Sequence, residues 1–274
     1  MTGALPDHGM EMTATYDEAA ARIYDILELD DQGMPTVPPG PIIDLLSLNG
    51  AQRILDMTCG TGAQCIALAA AGFEVTASDI SPAMVDRAHR KAAAAGVAIT
   101  FAQADMRDVS LGRFDAIISM YNAIGHLSTA DFARTLRNAA AQLEEGGLYV
   151  FDIFDRAMMG FLPCHEFIDR VCVVEGTTYV RFSRCEFREQ DGITTWRQRT
   201  YVQAGVDAPE VLSHGYTLRT YARQELLELL LANGFDDVEI VSGEKGPMPS
   251  EVGRLLHFVV ARKRATGVSD MGAV

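Results

Sequence analysis

The stretch from Ile54 to Gly62 constrains the fold of this chain more than any other feature. A short apolar run ends in the acid Asp56, a turn with two glycines follows, and a second β-branched run ends in Asp79. A glycine turn that opens a helix presents free backbone N–H groups to a ligand. The acid after the next strand lies where open α/β sheets bind ribose hydroxyls. The pattern therefore predicts a nucleoside-cofactor site at the carboxyl edge of an α/β sheet.

The sequence of the glycine turn distinguishes between two candidate cofactors, a dinucleotide and S-adenosylmethionine. A dinucleotide fingerprint requires Gly-x-Gly-x-x-Gly, and Cys65 stands at its third glycine. The run Asp-x-x-Cys-Gly-Thr-Gly at 56–62 instead resembles motif I of the class I S-adenosylmethionine-dependent methyltransferases, of the small-molecule type. The resemblance extends in register over roughly residues 50–155, through Asp79–Met84, Ala104–Arg107, Phe114–Met120 and Gly146–Gly147.

This resemblance implies S-adenosylmethionine as the cofactor. In the family, the acid of strand two receives the ribose and the segment after strand three receives the adenine amino group. The implied contacts in the core are Asp56, Thr58, Gly60, Gly62, Asp79, Ile80, Met84, Asp105, Met106, Met120 and Asn122. Thr58 replaces the glycine or alanine common at its position, which leaves unusual cofactor chemistry open.

The N-terminal segment resembles a second part of such enzymes. Tyr16-Asp17 and Tyr24-Asp25 are similar to the Tyr-Asp element with which glycine and sarcosine N-methyltransferases cover the cofactor. A spacing of eight residues is close to two helical turns, so both phenols can face the same way. The resemblance implies Tyr16 and Tyr24 as cofactor contacts, with Tyr24 also a candidate catalytic residue. Simple core packing is the alternative for both.

The loop after strand four, Tyr121–Leu127, is expected to hold the acceptor. It lacks the Asn/Asp-Pro-Pro-Tyr motif of amino-methylating DNA enzymes, and its Ile-Gly-His segment resembles that of bacterial amino-sugar N,N-dimethyltransferases. The resemblance implies that His126 lies in the acceptor pocket. An imidazole, with a pKa of about 6.5, can take a proton or orient an amine near neutral pH; helix capping or loop packing is the alternative. Asp152 and Asp155, at the end of strand five, are candidates for binding a substrate ammonium or for capping.

The expected fold is α/β. Strands and helices alternate between residues 53 and 154, which predicts a parallel sheet covered on both faces. Residues 167–220 alternate in period two about a turn at Gln190–Gly192, which predicts an antiparallel insertion of three or four strands. The fold class is thus a Rossmann-like, seven-stranded, mostly parallel sheet, with a reversed last strand implied by the resemblance and a β insertion after strand five. The expected divisions are a helical cap at 1–49, a core at 50–160 and 221–264, a lid or interface at 161–220, and a mobile tail at 265–274.

The composition of the chain limits the classes of substrate and partner that we expect. A net charge of −14 argues against a nucleic-acid substrate. Five cysteines without a Cys-x-x-Cys pair indicate reduced thiols in a cytoplasmic protein, and scattered histidines indicate no metal site. The N-terminal residues lack a basic region followed by an apolar run, and no apolar run reaches about 18 residues, so we expect neither a signal peptide nor a membrane span. We expect a small-molecule acceptor, no nucleic-acid or membrane partner, and a homodimer as one candidate assembly.

Several functions remain open at this point. Methyl transfer to an amine of a small metabolite is the leading hypothesis, with small-molecule O-methylation as the nearest rival. A protein that binds the cofactor without turnover, and an enzyme of this fold that uses it for another reaction such as cyclisation, are further alternatives. Cys65 makes a dehydrogenase the least favoured. The sequence does not identify the acceptor.

Overall fold

The protein is described here from a computed structural model that covers residues 16–28, 38–163, 165–242 and 253–265. Its strands form one large and one small sheet. In chain order the strands are β1 (Arg53–Asp56), β2 (Glu74–Asp79), β3 (Thr100–Gln103), β4 (Phe114–Ser119), β5 (Leu143–Phe154), β6 (Phe167–Val174), β7 (Thr177–Arg188), β8 (Ile193–Ala204), β9 (Glu210–Arg219), β10 (Phe235–Ser242) and β11 (Leu256–Lys263).

The larger sheet has seven strands in the order β10-β11-β5-β4-β1-β2-β3. Strand β11 runs antiparallel to both of its neighbours, β5 and β10. The pairs among β1 to β5 are parallel. This confirms the expected Rossmann-like sheet with a reversed last strand, and it places the carboxyl ends of β1, β2 and β4 side by side.

Helices cover both faces of the larger sheet. They are α2 (Gly40–Leu48), α3 (Ala63–Ala70), α4 (Pro82–Ala95), α5 (Thr129–Gln142) and α6 (Arg223–Ala232). A further helix, α1 (Glu18–Glu28), packs instead against α4 and β6. Neighbouring residues of one strand enter opposite cores: Ile54 packs in one and Leu55 in the other, both fully buried. A sheet that is apolar on both faces requires these two helical layers.

The bounds of helix α4 are set by capping residues at both of its ends. The Ser81 side chain accepts a hydrogen bond from the Met84 N–H at 3.2 Å, and Pro82 occupies the first helical turn. The helix ends at Ala95, and its C-cap Gly96 has a left-handed φ of 69°. These are favoured capping residues, and they fix the N-terminus of α4 directly after β2.

The junction between α5 and β5 has no loop. Helix α5 ends at Gln142 and β5 begins at Leu143. Leu143 is already extended and pairs with Phe114, and the register then shifts before Ala116. Pairing with β4 therefore overrides helix propensity at this junction.

The smaller sheet has four antiparallel strands in the order β6-β7-β8-β9, which confirms an antiparallel insertion after β5. It meets the larger sheet just after β9, because the Tyr221 N–H donates to the carbonyl of Phe154, the last residue of β5, at 3.2 Å. No helix within the described ranges is long and apolar enough to span a membrane. Much of the expected N-terminal cap, and the tail from residue 266 onward, lie outside the described residues.

Candidate active site

Asp79 joins the glycine turn to the start of helix α4. Its Oδ2 accepts the Gly60 N–H and its Oδ1 accepts the Ser81 N–H, both at 2.9 Å. Burial raises the pKa of Asp79, and these N–H groups oppose that shift. A side chain on Gly60 would point into open space, and its φ of 51° favours glycine. The carboxylate and the bare backbone therefore border the same open volume.

That volume is a cavity between helix α1 and the carboxyl edge of the larger sheet. Most of the residues expected to bind the cofactor or act in catalysis lie in its wall. These are Tyr16, Tyr24, Thr58, Gly60, Asp79, Ile80, Met84, Asp105, Met106, Met120 and His126. The buried Oγ1 of Thr58 has no hydrogen-bond partner among the described residues. An orphaned hydroxyl beside open backbone and a carboxylate fits a ligand that carries amino-acid and ribose groups.

Asp56 does not lie in the cavity wall, which corrects its expected role as a direct cofactor contact. Only 2% of its surface is exposed, and its Oδ1 accepts the Thr58 N–H at 3.2 Å. Burial raises the pKa of Asp56 to about 7; the Thr58 N–H opposes the shift and Asp79 adds to it. Asp56 acts on the site through the turn that it holds.

Gly62 also lies outside the cavity wall. It has a φ of 94°, and a Cβ there would come 2.8 Å from Cδ1 of Ile66 and 3.1 Å from Cβ of Ala88. Glycine is required at this position because α3 and α4 approach its backbone so closely. The role expected from the motif is thus corrected from ligand contact to helix packing.

Asp105 reaches the cavity as one half of an ion pair. Arg107 donates to both of its oxygens, with Nη2 at 2.7 Å from Oδ2 and Nε at 3.0 Å from Oδ1. Burial acts to raise the pKa of Asp105, but Arg107 outweighs it and the pKa falls. Arg107 also lines the cavity, and the sequence reasoning gave it no role of its own.

Helix α1 is fastened to the core by Asp25, a contact that the sequence did not reveal. Asp25 accepts hydrogen bonds from Oγ1 of Thr61 at 2.5 Å, and from Nε of Arg87 and Nζ of Lys91 at 2.9 Å each. Burial acts to raise the pKa of Asp25, but these donors outweigh it and lower the pKa. Asp25 therefore locks the N-terminal helix over the glycine turn.

The turn after β4 has an unusual backbone. Tyr121 and Asn122 have φ values of 63° and 54°, and a single 3-10 turn, Ala123–His126, follows them. The side chain of Asn122 turns away from the cavity, and its Oδ1 accepts the Phe154 N–H at 3.0 Å. This corrects the expected cofactor contact of Asn122. Tyr121 and His126 line the cavity.

His126 meets the N-terminal segment at the cavity wall. The Tyr16 hydroxyl lies 3.1 Å from His126 Nε2. The carbonyl of Tyr16 accepts a hydrogen bond from Oγ of Ser81 at 2.6 Å, which ties the segment to the cap of α4. Burial, with Glu28 and Asp79 adding to it, raises the pKa of Tyr16, so its phenol keeps its proton at neutral pH.

Tyr24 packs beside this pair. Its ring centroid lies 6.3 Å from that of Tyr16 in an edge-to-face arrangement. Burial, followed by Glu28 and then Tyr16, raises the pKa of Tyr24 well above its usual value. A phenol in this state is a hydrogen-bond donor and not a general base, which limits the catalytic role expected for Tyr24.

Strand β9 brings two further rings to His126 that the sequence did not single out. The Tyr216 ring centroid is 5.8 Å from that of His126, and the His214 centroid is 6.1 Å from that of Tyr16. Burial lowers the pKa of His214; Asp17 opposes the shift and Arg181 adds to it. The smaller sheet thus places aromatic rings beside Tyr16 and His126.

Asp152 in β5 and Asp155 just after it do not line the cavity, and both carboxyl groups accept backbone hydrogen bonds. Oδ1 of Asp155 accepts the Ala157 N–H at 2.9 Å and lies 3.3 Å from Nε2 of His257. Asp152 is fully buried and accepts the Asn122 N–H. Across the part of the chain that the structure describes, no group of three or more His, Cys, Asp or Glu side chains is placed to hold a metal ion.

Comparisons with known proteins agree with this architecture. Residues 54–147 match the model of a methyltransferase domain. A putative methyltransferase of Bacillus subtilis is 29% identical over 227 residues, which cover 81% of this chain and 89% of the relative. The glycine/sarcosine N-methyltransferase of Parasynechococcus marenigrum is 36% identical over 124 residues, 43% of this chain and 44% of the relative. The chain therefore matches less than half the length of that relative.

Two solved structures are similar over most of the chain. A sugar N-methyltransferase from Streptoalloteichus has a TM-score of 0.68 and 25% identity, and the match covers 96% of each chain. An amino pentose methyltransferase from Micromonospora echinaspora, solved with S-adenosylmethionine bound, also has a TM-score of 0.68 and 25% identity. That match covers 82% of this chain and 90% of the neighbour.

Proposed function

We propose that this chain, which is an S-adenosylmethionine-dependent methyltransferase, methylates an amine nitrogen of a small molecule. The observation that carries the proposal is the contact between the Tyr16 hydroxyl and His126 Nε2 in the wall of the cofactor cavity. An imidazole can take a proton near neutral pH, and a phenol beside it can form a hydrogen bond with the acceptor. The pair therefore suits an acceptor amine that must lose a proton before it is methylated.

The relatives support the same chemistry. Among the matched proteins are a glycine/sarcosine N-methyltransferase, a sugar N-methyltransferase and an amino pentose methyltransferase. Each is named for transfer to a small molecule, and the first two for transfer to nitrogen. Of the Ile124-Gly125-His126 segment, His126 lines the same cavity as Met120, and we propose that an acceptor approaches the cofactor there.

Bound S-adenosylmethionine supplies an activated methyl group on its sulfonium. The residues of the chain then have to align an unprotonated nitrogen, since alignment is the main requirement of such a displacement. Tyr16 remains protonated and His126 Nε2 is its partner. The pair can orient an acceptor nitrogen through Tyr16, or His126 can receive its proton.

We further propose that residues 161–220 cover the acceptor. His214 and Tyr216 come from this insertion and contact the Tyr16 and His126 rings. The described cavity is lined instead from the N-terminal helix and the core, between Tyr16 and Asp131. Cofactor binding and acceptor selection would accordingly depend on different elements.

A screen of matched acceptors tests the function. Small amines, including amino sugars and amino acids, are incubated with deuteromethyl-labelled S-adenosylmethionine beside the same molecules carrying hydroxyl in place of the amine. We expect mass spectrometry to find the label in one or more amines and in none of their hydroxyl counterparts. Label in the hydroxyl compounds alone would assign O-methylation, and cofactor binding without any labelled product would assign a non-catalytic protein.

The role of His126 is resolved with two variants. His126→Ala removes both hydrogen bonding and proton transfer, and general-base catalysis typically contributes about 10²–10⁴-fold. His126→Asn keeps a hydrogen-bonding group but cannot act as a base. A rate restored by asparagine favours orientation, and an inactive asparagine variant favours the base. Full activity of the alanine variant would remove His126 from the mechanism.

A further inference from the structure

Two consecutive residues with side chains adopt left-handed backbone conformations directly before the 3-10 turn of His126. These are Tyr121 and Asn122, with φ values of 63° and 54°. Such conformations are unfavourable for residues with a Cβ, and they persist only where the surroundings hold them. Neighbouring groups must therefore hold Tyr121 and Asn122 in these conformations.

Strand β5 provides the fixing contacts. Oδ1 of Asp152 accepts the Asn122 N–H at 2.6 Å, and the Tyr121 N–H is a further donor to this carboxyl. The Phe154 N–H in turn donates to Oδ1 of Asn122 at 3.0 Å. Asp152 has no exposed surface, so water does not compete for these bonds. The left-handed pair is held from both its backbone and its side chain.

The same turn determines where His126 lies. The Asn122 carbonyl accepts the Gly125 N–H at 2.9 Å and so begins the 3-10 turn. A Cβ on Gly125 would come 2.8 Å from Nδ2 of Asn122, so the glycine leaves room for the folded Asn122 side chain. His126 follows at once, with Nε2 at 3.1 Å from the Tyr16 hydroxyl. Hydrogen bonds therefore connect Asp152, through Asn122, to the backbone of Gly125, the residue directly before His126.

We propose that Asp152 is a positioning residue for methyl transfer, which holds the left-handed turn at 121–122 and thereby places His126 against Tyr16. The proposal rests on the role given to His126 in the proposed function. The other oxygen, Oδ2, has no hydrogen-bond partner among the described residues. The turn therefore depends on a single hydrogen-bond acceptor at residue 152, and it requires no ion pair.

Burial is consistent with this role, since it raises the pKa of Asp152 to about 7 while the N–H groups of Asn122 and Tyr121 oppose the shift. A carboxyl oxygen accepts hydrogen bonds in both protonation states. An amide oxygen can take its place, whereas a leucine of similar shape fills the volume but accepts no hydrogen bond. Asp152→Asn and Asp152→Leu thus separate the acceptor from the space it occupies.

The test observes His126 directly. Full-length protein with ¹³C-labelled histidine is saturated with S-adenosylhomocysteine, and the Cε1–H signal of His126 is identified from its loss in His126→Asn. We expect the wild-type signal position in Asp152→Asn, and a displaced or broadened signal in Asp152→Leu and Asp152→Ala with unchanged S-adenosylhomocysteine affinity. Asp155→Ala, which removes a carboxylate from the end of the same strand, is the matched control and should leave the signal in place.

Two results would overturn the proposal. The first is a native His126 signal in a folded Asp152→Leu or Asp152→Ala variant. The second is the failure of both variants to fold, which would assign Asp152 to the stability of the core. The measurement uses no acceptor, so a failed amine screen would leave its outcome unaffected, and the two proposals fail separately.

Discussion

The hydroxyl of Tyr16 lies 3.1 Å from Nε2 of His126, although 110 positions separate the two residues in the sequence. The contact joins the N-terminal segment to the turn after β4 and closes one side of the cofactor cavity. Because burial keeps the Tyr16 phenol protonated, Nε2 of a neutral His126 can serve as its acceptor. An acceptor nitrogen that enters this region would therefore encounter a hydrogen-bonded pair and not an isolated base.

Removing only the phenol oxygen tests that pair. We expect Tyr16→Phe to lower the methyl-transfer rate by about tenfold, in keeping with the loss of one hydrogen bond of about 1–1.5 kcal/mol. Single-turnover kinetics measure the rate, and calorimetry measures S-adenosylmethionine affinity, which should not change. Tyr201→Phe, whose ring packs on Phe182, is the matched control. A weakened affinity at full rate would instead assign Tyr16 to the cofactor.

Tyr216 tests the role of the smaller sheet. Its ring packs against His126 and stacks on Trp196, with centroids 5.8 Å and 6.4 Å away. We expect Tyr216→Leu to raise the KM of the acceptor by up to about tenfold, since an aromatic pair contributes about 0.5–1.5 kcal/mol. Cofactor affinity should be unchanged, because the insertion does not contribute to the described cavity wall.

The control for Tyr216 lies on the same sheet. Trp196 pairs with Tyr216 across β8 and β9, so Tyr201, an odd number of positions along β8, points to the opposite face. Tyr201→Leu should leave acceptor kinetics as in the wild type. Equal acceptor KM values for Tyr216→Leu and the wild type would indicate that the sheet has a structural or assembly role.

Asp25 governs how firmly the N-terminal helix covers the cavity. Asp25→Ala removes bonds from Thr61, Arg87 and Lys91 at once. Hydrogen bonds to charged groups contribute about 1.5–3 kcal/mol, so we expect S-adenosylhomocysteine to dissociate at least about tenfold faster in stopped-flow displacement.

Arg22→Ala provides the comparison for Asp25. Arg22 lies on the same helix, and its ion pair with Glu210 is exposed on both sides, with 59% and 54% of the side-chain surfaces accessible. Exposed pairs contribute little, so dissociation should remain at the wild-type rate. An unchanged rate in Asp25→Ala as well would show that the helix does not control ligand release.

Asp56 makes folding stability depend on pH. Burial raises the pKa of Asp56 in the folded protein to about 7, whereas an aspartate in the unfolded chain has a pKa of about 3.9. Between these pH values the folded protein binds more protons, so the free energy of unfolding falls as pH rises. The stabilisation is complete below pH of about 4 and is lost by about 7, at about 1.4 kcal/mol per pH unit at most.

Urea unfolding across this pH range measures the Asp56 effect. We expect a shallower decline for Asp56→Asn than for the wild type, while Asp86→Asn, at an exposed position of α4, should reproduce the wild-type curve. Asp152 has a similarly raised pKa, so some decline should remain. Parallel curves for Asp56→Asn and the wild type would exclude a raised pKa at Asp56.

The cofactor cradle was predictable because it is encoded locally. A strand, a glycine turn and a capped helix follow one another within a short stretch, so the sequence could predict that Gly60 and Asp79 lie close together. The motif indicated that Gly62 matters, but not that helix packing is the reason. The packing depends on Ala88, which comes from a different helix.

The arrangement around His126 was only partly predictable. Tyr16 and His126 were each recognised from short motifs, but their contact depends on how distant elements pack. Tyr216 reaches the site through the register of β8 and β9, which an alternating pattern does not specify. Asn122 was assigned wrongly because its left-handed backbone turns the amide toward the Phe154 N–H, and sequence alone gave no sign of that conformation.

The central claim is that the Tyr16–His126 wall presents an amine nitrogen to the methyl donor. The most direct measurement follows the methyl group itself: S-adenosylmethionine labelled with ¹³C in its methyl group is incubated with the protein and a molecule that carries both an amine and hydroxyls, and the product is observed by NMR. The account predicts that the sulfonium methyl signal is replaced by an N-methyl signal, more slowly in Tyr16→Phe. An O-methyl signal as the product would contradict it.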